Sequence, residues 1–521
     1  MRSEKLVFAR SVSCVSRHRQ VILILHDSDE KGGLMVSVTP DIIPFVSPIK
    51  ANVLTQTELE TVKEKTLQLL NDVGVHFPSP KALDIFTEHG AQVDRANEIV
   101  RLPQDLVLAA MSTAPRSFIL GGREERFDLL LDGRRSYLST DGTGVHVIDA
   151  YTREKRPSCK EDIAMMARVC DALPLVSFFW PMVSSKEYGH TAPLHNCHAS
   201  LINTLKHVRG GTTVHPRLAH YFVEMASVVA GSTEERIKRP PICANICTIS
   251  PLSHDKHGIE TALIYAEAGI PTSFMAMPTM GSTAPATPLA ALIMGDAEVI
   301  SAMVLLQLAF PGTPVFHAVF TSIMDPRTGG YISEVPTPSY IMAKQLAHAW
   351  DVPCLGGARV SGDAPELGWQ SGFEVGLGAG MIAIAGAEIC GLMGLVGSAT
   401  TLYPEEVILD HDSIYHVYEM VNNKRFDEID LALDVIRKVG PRNHFLAQKH
   451  TREHMRHFRL PSLLRHRGAD GVQRDPREIA LERFKHIEAT HHPQPLPEEV
   501  LLELDRILER AEGEAERIFK E

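Results

Sequence analysis

The 521-residue sequence lacks several features that would each point to a function. It has no surplus of positive charge: 52 Lys and Arg against 64 Asp and Glu give a formal net charge of -12. A chain of this balance has no global electrostatic reason to hold nucleic acid, and none is expected as a partner. No stretch approaches the roughly 18 uninterrupted apolar residues of a membrane helix, so no membrane is expected either. The eight cysteines, at 14, 159, 170, 197, 243, 247, 354 and 390, form no CxxC pair or framework spacing. That scatter suits a reducing cytoplasm, which is the expected location. The basic N-terminus MRSEKLVFARSVSC leads to an apolar core, VILIL, too short for a signal peptide and followed by no small-residue cleavage site. Residues 1–44 read as an N-terminal extension, disordered or over-called, with Met35 a plausible true start.

Motifs that carry chemistry are also missing. There is no GxSxG elbow for a serine nucleophile and no HExxH pair for zinc. The first strand is followed by no GxGxxG, which counts against a doubly wound dinucleotide fold. Among the 25 histidines, the group His190, His195 and His198 beside Cys197 has no carboxylate at a fitting offset and reads as helix-surface and core histidine. Cys243 and Cys247 fall on one face of a predicted strand, roughly 13 Å apart at about 3.3 Å per residue, too far to share a metal. The glycines of GLGAGMIAIAGAEICGLMGLVG lie along a predicted helix and strand, where close backbone packing explains them better than a phosphate cradle.

What is present is a repeat. ICANICTIS, PTSFMAMP and TPVFHAVFTS are short apolar runs separated by helix-length segments, the pattern of βαβ crossovers on a parallel sheet. Extending it gives strands at 135–139, 175–180, 207–214, 242–249, 271–277, 314–321, 353–360 and 388–394. Eight β/α units over about 270 residues predict a (β/α)8 TIM-type barrel, α/β in class, over residues 134–414. Residues 45–133 read as a small α+β lead-in unit: three helices and a hairpin made by RSFILGG and RFDLLLDG. Residues 415–521 read as a helical region packing on the barrel or on a second subunit, and a homo-oligomer is expected.

In such barrels the loops after the strands carry the chemistry. They offer Asp141 after strand one, Trp180, Glu187 and Tyr188 after strand two, and His215 after strand three. Met277 and Met280 follow strand five; His317, Asp325 and Arg327 belong to strand six, Arg359 and Asp363 to strand seven, and Glu405 to strand eight. The sulfur-rich MAMPTMG suits a soft apolar pocket floor, with core filling equally open. Trp180, with Tyr188 as a further aromatic wall, is placed to hold a quaternary ammonium by cation–π attraction.

At these residues the sequence resembles the trimethylamine and glycine-betaine corrinoid methyltransferase family, a group of (β/α)8 barrels. DGTGVHVIDAYTREKRPSCKEDIAMMARVCDALP is similar to its first unit, PLSHDKHGIETALIYAEAGIPTSFMAMPTMGSTAPATPLAALIMGDAEVISAMVLLQ to its central one, SIMDPRTGGY to its loop after strand six and HFLAQKHTREHMR to a C-terminal segment. Some members carry pyrrolysine in the strand-seven loop, which corresponds here to Ser361-Gly362-Asp363-Ala364-Pro365-Glu366. The ordinary residues of this chain argue against trimethylamine and point to the non-pyrrolysine branch.

The resemblance implies methyl transfer from a quaternary amine such as glycine betaine to the Co(I) corrinoid (cobalamin) of a separate corrinoid-binding protein. No cofactor or metal is then expected to be tightly bound in this chain. Asp141, Glu187, Asp325, Asp363 and Glu405 would offset the substrate's positive charge, and His317, Arg327 or Arg359 would hold a carboxylate. No residue is assigned a catalytic role. A metal-dependent lyase or hydrolase on the same barrel, and a non-catalytic quaternary-amine-binding protein, remain open alternatives.

Overall fold

Eight short strands with inward and outward faces both apolar need cover on two sides, and the chain supplies it by alternating each with a helix. In the computed structural model, which describes residues 37–520 apart from 334–337, 358–362, 423–430, 456–462 and 464–470, the strands are β1 Tyr137–Thr140, β2 Phe178–Phe179, β3 His207–Gly211, β4 Ile242–Cys247, β5 Thr272–Ala276, β6 Val315–Val319, β7 Leu355–Gly357 and β8 Ile389–Met393. They form one parallel sheet in which β8 lies beside β1 and β6 ends the other edge. A parallel bridge between His317 and Cys354, with the His317 N–H donating to the Pro353 carbonyl at 3.0 Å, joins β6 to β7 and closes the barrel. Closure rules out the open doubly wound sheet.

The helices after each strand are α1 Lys160–Asp171, α2 Ala192–Asn203, α3 Pro216–Ala230, α4 Lys256–Glu267, α5 Pro288–Ala309, α6 Ser339–Ala349, α7 Trp369–Ala385 and α8 Glu406–Asn422. Helix α5 is long and apolar enough to cross a membrane, but most of it is buried inside the protein. It lies between β5 and β6 on one side and the lead-in helices Gln56–Asp72, Pro80–Glu88 and Gln104–Met111 on the other. A helix covered on both sides has no polar face to show, which explains its lack of amphipathicity.

The lead-in unit holds the three predicted helices. It also holds a three-stranded antiparallel sheet, Val75–His76, Ile99–Arg101 and Gln92–Asp94, whose strands are too short for a period to register in sequence. The predicted hairpin pairs Phe118–Leu120 with Leu129–Leu131. Its Leu120, Leu129 and Leu131 pack with Tyr137, Phe178, Phe316, Leu355 and Ile389, so the hairpin plugs the N-terminal end of the barrel. Residues 37–45, read from sequence as mostly loose extension, run along the barrel: the Ile43 N–H donates to the Pro174 carbonyl at 2.8 Å and Phe45 bridges Ser136.

Downstream, α9 Pro476–Thr490 lies on α1 and α8, and α10 Glu498–Lys520 lies on α3 and α2 of its own barrel. Leu504, Ile507, Leu508 and Ala511 of α10 are buried there. His195 and His198 of α2 meet its Glu512 and Asp505 at 2.9 and 3.1 Å, so these histidines fix the terminal helix.

Candidate active site

The strands end on one mouth, flanked by two small sheets the repeat did not predict. Thr279–Met280, Ser322–Met324 and Tyr331–Ser333 form one; Leu395–Val396, Thr401–Leu402, His146–Ile148 and Lys155–Pro157 form the other. Inside, side chains alternate. On β3, Val208 packs outward in the helix-facing core and a Cβ on Gly210 would lie 2.5 Å from Cys197 Sγ of α2, leaving His207 and Arg209 facing the barrel axis, while an irregularity in register sets Gly211 against the outward Ala244. The lowest interior layer is mostly apolar, made by Tyr137, Phe178, Cys243, Phe316, Leu355 and Ile389, with the buried His207 of β3 beside Phe178. Above it the layer turns polar on three consecutive strands, with Arg209 on β3, Asn245 on β4 and Ser273 on β5. Ser273 Oγ donates to Asn245 Oδ1 at 2.6 Å.

Arg209 is 2 % exposed, and its guanidinium carbon stands 3.9 Å from the centre of the Trp180 ring. Burial lowers its pKa to about 10, with Cys243, Cys247 and Asp141 pulling the other way, so it is a cation at neutral pH. Trp180 is held by its backbone, its N–H and carbonyl both bonding Thr140 Oγ1, at 2.9 and 2.7 Å. Glycine leaves room for the indole: a Cβ on Gly142 would come within 2.9 Å of Nε1, and one on Gly391 within 3.4 Å of Cζ3. One face of the Trp180 indole, where a substrate ammonium was expected, is therefore taken by a protein cation.

The other loop residues fall into three groups. At the mouth are Asp141, part-buried, whose Oδ1 accepts from the Gly142 N–H at 2.9 Å, and Met277, 46 % exposed on the rim. Asp363 lies in the strand-seven loop and accepts from Ser398 Oγ at 2.9 Å; Arg359 falls outside the described residues.

A second group serves the outer shell. Glu187 accepts from the Lys160 N–H at 2.7 Å at the start of α1, and Tyr188 stacks on His195 at 3.5 Å beside α10. His215 caps α3, its Nδ1 accepting from the Arg217 N–H. Glu405 is buried against Arg153 at 2.7 Å and lines a cleft of about 340 Å³ shared with Tyr403, Glu366, Asp475 and Arg477.

A third group is committed to internal bonds. His317 is fully buried and faces away from the axis, donating or accepting at 2.7 Å with Asp296 of α5. Asp325 and Arg327 close on each other at 2.9 and 3.0 Å, and the Arg327 bonds hold the Asp325 carboxyl down to about 2. Met280 packs with Ala284, Ala291 and Met294 as core. In this structure His317, Asp325, Arg327 and Met280 are therefore engaged within the protein's own loops and core. A charge already answered at hydrogen-bond distance inside its own loop has little left for a ligand.

Sequence reasoning missed two site residues. Arg209 was hidden in a strand, where only the alternation of His207 and Arg209 with the apolar Val208 could have flagged it. Glu298 of α5, fully buried, accepts from Thr248 Oγ1 at 2.5 Å, Ser250 Oγ at 2.9 Å and the Leu252 N–H at 2.8 Å, and so fixes the loop after β4. Burial raises its pKa while those donors lower it. Among the described residues, no three His, Cys, Asp or Glu side chains gather as a metal site requires.

The trimethylamine methyltransferase (MTTB) family profile matches residues 37–515. Trimethylamine methyltransferase MttB of Desulfitobacterium hafniense is 31% identical over 471 residues, covering 88% of this chain and 93% of that protein. Its counterpart from Methanosarcina barkeri is 28% identical over 476 residues, covering 89% and 96%. Glycine betaine methyltransferase of D. hafniense is 26% identical over 465 residues, covering 87% and 95%. The crystal structure of the M. barkeri monomethylamine methyltransferase aligns with a TM-score of 0.43 at 13% identity, covering 84% of this chain and 93% of that one. A match over nearly the whole chain, on a closed eight-stranded barrel, means that this protein belongs to the trimethylamine methyltransferase family.

Proposed function

We propose that this protein removes a methyl group from a quaternary amine of the glycine betaine type and passes it to the Co(I) corrinoid of a separate, docked protein. The observation that carries this reading is a charged floor inside an apolar rim. The floor holds Arg209 and, nearer the opening, Asp141. Around the mouth stand Ile249, Met277, Leu289, Tyr331, Ile332 and Trp369, all exposed, with Trp369 83 % exposed and stacked on Phe373 at 5.5 Å. Exposed apolar side chains clustered round an opening mark a contact surface for another macromolecule.

The chemistry asks little acid–base work of the chain. The methyl leaves without its bonding electrons, the C–N pair stays on nitrogen, and a neutral tertiary amine departs with no proton to be supplied. The corrinoid, when docked, supplies the nucleophile. The chain's own residues bind and orient the ammonium and exclude water, which favours a cation losing its charge in the reaction. Cys247 is exposed at the mouth, yet partial desolvation by the barrel wall outweighs the pull of Arg209 and raises its thiol, keeping it protonated and a poor competing nucleophile.

A methyl-transfer assay with chemically reduced cob(I)alamin, glycine betaine, other quaternary amines and trimethylamine tests the reading. Loss of the Co(I) absorbance with at least one quaternary amine and not with trimethylamine is the expected result. Turnover with trimethylamine alone, or titration calorimetry showing that no quaternary amine binds, would overturn it. No specific observation favours the metal-dependent or binding-only alternatives.

A further inference from the structure

The barrel interior contains a guanidinium with no hydrogen-bond partner, acted on through space by the Asp141 carboxylate. Alone among the described arginines, Arg209 has Nε, Nη1 and Nη2 all buried and without a hydrogen-bond partner. The chain satisfies buried cations elsewhere: Lys206, also on the barrel wall, donates to the Cys170 and Leu173 carbonyls at 2.9 and 2.7 Å. A buried guanidinium is tolerated when paired and costly when not. Here it is backed by an aromatic face, for which the glycines at 142 and 391 leave space. Its charge is felt at both Cys243 and Cys247, the inward residues on either side of Asn245. Asn245 accepts from Ser273 through its side-chain oxygen, while its amide nitrogen donates to no described residue. A planar fork of donors and a neighbouring amide, below an open mouth, match the two oxygens of a carboxylate.

We propose that Arg209, braced by Trp180 and assisted by Asn245, binds the carboxylate of a zwitterionic quaternary amine, so that betaines are selected over methylated amines lacking an anionic group. The inference rests on the function proposed above and narrows its substrate class. The carboxylate sits on the polar layer, and the ammonium lies toward the mouth, on the side of Asp141. A simple amine or choline finds no partner for the guanidinium and leaves it desolvated, which sets the discrimination.

Titration calorimetry on the full chain separates the two ends of the ligand. The probes are glycine betaine, its carbon isostere 3,3-dimethylbutyrate, which keeps the carboxylate without the cation, and tetramethylammonium, which keeps the cation alone. Wild type is expected to bind both carboxylates. Arg209→Met is expected to weaken both by about 10- to 100-fold, the range for losing hydrogen bonds to a charged group, and to leave tetramethylammonium unchanged. Arg209→Lys, which keeps the charge and loses the fork, falls between them and serves if the methionine variant does not fold. Failure of wild type to bind 3,3-dimethylbutyrate, or unaltered betaine binding in a folded Arg209→Met or Arg209→Lys protein, would overturn the assignment. Binding as expected with no methyl transfer from any quaternary amine would instead remove the functional reading and leave the carboxylate site standing.

Discussion

At the scale of single residues, Arg209 shows a site whose ligand-free stability is given up for binding. Replacing an unpaired buried charge by an apolar side chain of similar length commonly stabilises a protein. A desolvated cation–π contact of about 2 kcal/mol offsets part of that gain. Arg209→Met is therefore expected to raise the unfolding free energy of the ligand-free protein by about 1–2 kcal/mol in urea titrations. A fall of similar size would mean that the guanidinium is a packing element after all. The residue was illegible in sequence for a physical reason: which face of β3 a side chain takes depends on the outward contacts of Val208 and Gly210, which form only in the barrel. Loop residues are hard to read for the opposite reason. Asp325 and Arg327 are two apart in a turn, close enough to satisfy each other locally, and the sequence shows the charges without the bond.

At the scale of elements, the alternation of short apolar runs with helix-length segments was enough to locate all eight barrel strands, because strand length and helix length differ so clearly. The mouth sheets escaped because strands of two or three residues have no period to read. The sequence of α5 likewise reads as simply apolar, while the fold makes its Asp296 a hub. That carboxylate, fully buried, bonds His317 at 2.7 Å, Trp350 Nε1 at 3.1 Å and Thr66 Oγ1 at 2.6 Å, tying β6, the segment after α6 and the first lead-in helix to one point. Asp296→Ala leaves three buried polar groups without their acceptor and is expected to cost about 3–5 kcal/mol. Chemical denaturation checks this; a loss under about 1 kcal/mol would mean the three groups find other partners. Betaine binding in the folded fraction should survive, since the hub lies outside the barrel.

At the scale of the whole molecule, burial makes stability depend on pH. It lowers the pKa of His207 to about 4 and that of His254 to about 3, whereas in an unfolded chain each titrates near 6.5. Below about pH 6.5 the unfolded state binds protons that the folded state refuses, so stability is fully present above that pH and lost as pH falls toward 4. The two histidines together contribute a slope of about 2.5 kcal/mol per pH unit near pH 5. Urea midpoints measured at pH 7, 6 and 5 should fall progressively, and midpoints independent of pH would contradict the neutral burial of these rings.

The hairpin Phe118–Leu120 with Leu129–Leu131 has a consequence beyond stability. By filling the far end of the barrel with Leu120, Leu129 and Leu131, it leaves, among the described residues, the mouth at the strand C-terminal ends as the door to Arg209. Ligand and docking protein would both use that door. On the proposed function, a small molecule bound at Arg209 would have to be inside before a partner covered the rim, and the demethylated product would stay inside until the partner left. The order of events would then be imposed by architecture: small substrate first in, its product last out.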